Sequence, residues 1–146
     1  NSEYSYQHHC DLRDFDFTAA GICLSKAVEI WAGEKVIDPL LKLPPELAKY
    51  FRGSQASPYK KTLGTFACIL RTTESEIKNN NWLKVHVKNT FPKVNTGDFE
   101  KLADDLNVIS SKYRNSWVHD EPMDRETYEA FRQKAPELFK EWVHKF

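Results

Sequence analysis

Apolar residues recur at three- and four-residue steps in four separate stretches of this chain, and that period admits helices and little else. Phe17, Ala20, Leu24, Ala27, Val28 and Trp31 make the first stripe. Leu63, Phe66, Ala67 and Leu70 make the second, with Ile69 beside it. Phe99, Leu102, Leu106, Ile109 and Tyr113 make the third. Tyr128, Phe131, Ala135, Leu138, Phe139 and Trp142 make the fourth. Only Lys84-Val85-His86-Val87-Lys88 alternates as a strand would, and no second strand is available to pair with it. A lone strand is not stable in water. Trp82 to Phe91 is therefore expected to be an irregular or helical connection. The fold class that follows is an all-α bundle.

Turn and cap chemistry divides the stripes. Asp14 or Asp16 can cap the first helix, and Gly33 is its natural stop. Val36, Ile37, Leu40 and Leu41 suggest a short helix interrupted or restarted at Asp38-Pro39. Pro44-Pro45 ends it, because proline drives the residue before it out of the helical region. Residues 46–51 could add a turn or two, and residues 53–58 read as loop. Thr62 is the expected cap of the second helix, and Asn79-Asn80-Asn81 is turn chemistry. Pro92 to Gly97 is again loop, with Asp98 expected to cap the third helix. Pro122 breaks the chain and Asp124 caps the last helix, inside which Pro136 should produce a kink or a split. Ile22, Cys23 and Ile30 flank the first stripe. They are either a second buried side or a partner surface, and core is the expectation.

With 146 residues the chain is most simply one domain, a flexible arm over residues 1–10 followed by a helical domain over residues 11–146. Its 21 basic and 21 acidic residues cancel, which is not the bulk signature of a nucleic-acid-binding protein. The balance is uneven, however. Residues 58–93 hold seven basic side chains and two acids, a local excess of +5 that is either a basic surface or a solvated lysine-rich face. Cys10, Cys23 and Cys68 lack zinc-finger spacing and read as reduced thiols of a cytosolic protein, with Cys23 and Cys68 in the core. His8, His9 and Cys10 are adjacent on an arm and do not suggest a metal site. No apolar run approaches the ~20 residues a membrane span needs, and no signal-peptide pattern is present. Opening on Asn1 rather than Met suits a domain cut from a longer protein.

Between the last two stripes lies Tyr113-Arg114-Asn115-Ser116-Trp117-Val118-His119, followed by Asp120-Glu121-Pro122. A guanidinium is always charged and grips phosphate oxygens in a bidentate fashion. An imidazole can exchange a proton at neutral pH. RNA carries its own nucleophile in the 2′-OH, so a phosphate clamp and a proton shuttle suffice for internal cleavage without a metal. Arg114 to His119 has the R-x4-H form and resembles the R-x(4–6)-H motif of the HEPN family. The opening helix, the Thr62-Leu63-Gly64 helix start and the closing helix after the motif are similar to HEPN domains as well, over roughly residues 11–145.

The resemblance implies an HEPN-like four- to five-helix up-and-down bundle that forms homodimers and cleaves single-stranded RNA to 2′,3′-cyclic phosphate ends. It assigns Arg114 to phosphate and transition-state charge, His119 to acid–base work and Asn115 to positioning. Lys112 and Ser116, on either side, are the candidate substrate-binding residues. No cofactor is expected. The partners expected are a second copy, RNA or a nucleotide, and for a toxin or defence effector an antitoxin or further domains. Five residues along an ideal helix leave Arg114 and His119 about 140° apart. Both reach one phosphate only if the helix ends near Ser116–Trp117, or if two protomers converge on a two-fold axis. The alternative is a non-catalytic HEPN module for nucleotide binding or dimerisation. It is favoured by the zero net charge and by Asp120 and Glu121, which repel phosphate. In a plain helical scaffold Arg114 and His119 would only offset the helix dipole.

Overall fold

The structure is a computed structural model that describes residues 16–42, 61–115 and 122–146, without the side chains of Arg114 and Asn115. Every regular element in those residues is helical. Helix α1 spans Thr18–Ala32 and passes through a π-turn, Gly33–Ile37, into the short α2, Asp38–Leu41. Helices α3 (Leu63–Ile77), α4 (Asn81–Thr90), α5 (Asp98–Ser110) and α6 (Arg125–Trp142) follow. A second π-turn, Ser111–Asn115, extends α5. The all-α bundle expected from the periodicity is thus the architecture.

Side-chain contacts fix how the helices run. Glu74 of α3 meets the turn before α5 at Gly97, and Arg71 pairs with Asp104, so α3 and α5 are antiparallel. Trp142 Nε1 donates to Asp105 and the Tyr113 ring stacks on Phe131, so α5 and α6 are antiparallel too. Phe17 stacks on Tyr128 at one end while Trp31 meets Phe139 edge-on at the other. Helices α1 and α6 therefore lie side by side in the same direction. The main core holds Val28, Phe66, Leu70, Leu83, Phe99, Leu106, Phe131 and Trp142 among others. Phe17, Ala20, Met123 and Tyr128 form a smaller cluster at the end where α1 and α6 begin.

Local chemistry accounts for most boundaries. Thr62 accepts the Thr65 N–H, Asn80 the Leu83 N–H and Asp124 the Thr127 N–H, each satisfying a first-turn donor. Of Trp82 to Phe91, all but the capping Phe91 lies in helix α4, because its 83/87 pair meets the core while the alternation merely places lysines outside. His86 Nε2 ties α4 to the Leu40 carbonyl at 3.2 Å. Pro136 lies within α6 without splitting it. Its missing N–H costs one helical bond, and the buried Ala135 and Leu138 on either side hold the turn in place.

Several expectations are corrected. Gly33 does not stop the first helix; the chain widens into a π-turn whose Asp38 N–H donates to the Gly33 carbonyl. Pro39 explains the widening, since its ring would collide with a carbonyl four residues back in a regular helix. Asp98 is the first residue of α5 rather than its cap. The cap is Gly97, and the Asp98 carboxylate turns back to accept from the Asn95 N–H and from Lys145. Cys23 and Cys68 are exposed rather than core. Ile22 and Ile30 are exposed by 43% and 50%, so the flank of α1 is surface. The buried side of α1 is rotated towards Gly21, Ser25, Glu29 and Ala32. Asp14, the arm over residues 1–10, the prolines at 44–45 and residues 46–58 fall outside the described residues.

Candidate functional site

The motif begins where α5 leaves regular pitch. Ser111 Oγ donates to the Asn107 carbonyl at 2.8 Å and lies 3.5 Å from that of Val108. Back-bonding of this kind competes with the helix ladder and bends it. Arg114 and Asn115 close the π-turn that starts at this serine. Such turns are uncommon and concentrate at functional sites. Lys112 is exposed, with its ammonium 5.3 Å from the centroid of the Tyr113 ring. Ser116, His119, Asp120 and Glu121 lie outside the described residues.

Both approaches to that stretch are held firmly. On the near side Tyr113 is buried and stacks on Phe131, centroids 4.6 Å apart and planes 6° from parallel. On the far side Met123 is buried to 1% exposure. Its N–H donates to Thr18 Oγ1 at 2.8 Å, and its carbonyl accepts the Phe17 N–H at 3.0 Å. Gly21 makes room for it: a Cβ there would overlap Met123 Sδ and Cε. The start of α1 therefore clamps the exit from the motif stretch, and α6 clamps its entrance. Phe17, Thr18 and Gly21 were not among the sequence candidates. Their pairing with Met123 spans about a hundred residues, and no local pattern signals it.

The charges around this end are ordered. The Thr18 hydroxyl and N–H hold the Asp16 carboxyl below its usual value against the opposing effect of burial. Hydrogen bonds from the Thr127 side chain and N–H do the same for Asp124. Arg125 Nε contacts Glu129 at 2.8 Å and extends the polar rim along α6. Among the described residues no group of three or more His, Cys, Asp or Glu side chains could hold a metal ion. No described helix is long and apolar enough to cross a membrane.

The basic excess of residues 58–93 is partly spent on structure. Lys61 pairs with Asp38, Arg71 with Asp104, and Lys88 donates to the Pro92 carbonyl. Comparison with known proteins returns nothing: no family model, curated protein or solved structure matches the chain.

Proposed function

We propose that the chain is a metal-independent endoribonuclease of HEPN type, acting on single-stranded RNA through Arg114, Asn115 and His119. The observation that carries this reading is the placement of the motif. Its arginine and asparagine lie in a π-turn at the end of α5, Tyr113 before them is stacked on Phe131, and Met123, four residues after His119, is hydrogen-bonded to the start of α1. A scaffold holding a short polar segment at both ends suits a reaction that needs only positioning, charge stabilisation and one proton relay. Arg114 would take a non-bridging phosphate oxygen. His119 would accept the 2′-OH proton and later protonate the leaving 5′-oxygen. Asn115 would orient the phosphate, with Lys112 and Ser116 binding the strand on either side. A second copy would bring two such segments together.

The test is incubation of the protein with labelled single-stranded RNA in EDTA beside Arg114→Ala and His119→Ala. Cleavage to 2′,3′-cyclic phosphate ends is expected, reduced by about 10²-fold or more in each variant. Cleavage at equal rates by all three, or by none, refutes the reading. A second reading, a non-catalytic HEPN module for nucleotide binding or dimerisation, is favoured by the zero net charge and by Asp120 and Glu121 beside His119. Nucleotide binding in calorimetry without RNA turnover would select it. A toxin or defence role, a homodimer, an antitoxin or further domains and a cytoplasmic setting belong to the same proposal.

A further inference from the structure

A cavity of about 420 Å³ opens at the other end of the bundle, between α3, α4 and the turn before α5. Its distance from Arg114 is about 20 Å, reckoned from the fifteen residues of helix and π-turn separating Phe99 from that arginine. Ile77, Val87, Val94 and Phe99 give it an apolar lining, and Lys84 and Lys88 lie on its α4 side.

Glu74 also lines this cavity and is buried to 5% exposure. One of its oxygens, Oε1, accepts the Gly97 N–H at 2.8 Å and so holds the turn. The other, Oε2, is buried without any hydrogen-bond partner. A buried polar atom left unpaired is costly, and more so on a carboxylate. Of the two lysines that line the cavity, Lys88 donates to the Pro92 carbonyl and neither reaches Oε2.

We propose that this cavity is a binding site for a small apolar amine. Its ammonium or amidinium group donates to Glu74 Oε2, and its hydrocarbon or aryl body lies against Val87, Val94 and Phe99. The chemistry follows from the donor count. The site already holds an acceptor lacking a donor, a lining made mostly of carbon, and room for a molecule of this kind.

The probe pair is 4-phenylbutylamine and 4-phenylbutanol, which share a body and differ in the charged donor. Binding is followed by calorimetry and by the amide resonance of Gly97, which reports the Glu74 carboxylate directly. The amine should bind and shift Gly97, and the alcohol should bind about tenfold or more weakly. Glu74→Gln keeps an acceptor for Gly97 and so preserves the turn, but it should lose the preference for the amine. Failure of the amine to bind overturns the proposal, as does equal binding of amine and alcohol. Retention of the preference by Glu74→Gln has the same effect. So does a crystal structure in which a water or Lys84 satisfies Oε2 and the amine does not displace it. None of these outcomes depends on whether the protein cleaves RNA.

Discussion

Two positions at the base of α5 show how single residues hold this fold. Asp98 is buried to 4% exposure yet charged, because burial, which alone would raise its carboxyl, is outweighed by Lys145 at 2.7 Å and the Asn95 N–H at 2.8 Å. Replacing it with alanine strands both donors, and Asp98→Ala is expected to lose about 1–3 kcal/mol of stability in urea unfolding at neutral pH. Beside it Gly97 adopts φ 89°, the only positive φ among the described residues. A Cβ there would meet no atom within 4 Å, so the penalty in Gly97→Ala comes from the backbone alone. A loss of about 1–2 kcal/mol is expected in the same assay. Asp98 was expected as a cap because aspartate before an apolar stripe usually is one. The preceding glycine, free to turn left-handed, took that position instead and released the carboxylate for Lys145. Glu74 was equally legible in principle. It stands four residues after Leu70 and eight after Phe66, in line with the buried face of α3, where an acid must be paired or used.

Among the elements, α1 and the strap leading into α6 depend on one close approach. Alanine favours a helix over glycine by about 1 kcal/mol. Gly21→Ala sets that gain against a new Cβ in the space of Met123 Sδ and Cε, so the end of the methionine must swing aside and the net change should stay within about 1 kcal/mol. Met123→Ala alone should cost about 2–5 kcal/mol, the usual range for a buried large-to-small change. The two changes share one volume, so the double variant should be less destabilised than the sum of the singles. A double-mutant cycle by thermal or urea unfolding measures this coupling, and strict additivity would show that the two sites do not touch. Helix caps give a simpler expectation. Asp124→Ala removes the acceptor for the Thr127 N–H and should lower stability by about 1 kcal/mol, read as a fall in Tm. The π-turns were not legible from periodicity. Each follows from a local conflict, Pro39 in one case and Ser111 back-bonding in the other, that a simple helix-or-break reading does not represent.

For the molecule as a whole, Asp16, Asp98 and Asp124 all have carboxyls held below the usual 3.8 in the folded state. A carboxyl whose folded pKa is depressed stabilises the native state above its unfolded pKa, and that contribution disappears as pH falls through the folded value. Stability against urea should therefore be nearly flat from about pH 7 to about pH 5 and decline below about pH 4. Asp98→Asn should shallow that decline, and an unchanged slope would mean that Asp98 does not carry the linkage.

What the sequence determined by itself was the all-α class, the long helices and the caps Thr62 and Asp124. These depend on residues three or four apart, and a helix registers them wherever it is placed. It also presented the Arg114 to His119 motif as a string of chemistry without geometry. Which side of α1 is buried was decided only in the assembled bundle. The same holds for the clamp of Phe17, Thr18 and Gly21 on Met123, and for the buried, unpaired oxygen of Glu74, a side chain that lines a cavity. Each arises where segments far apart in the chain compete for one volume or one hydrogen bond, and no local period carries that information.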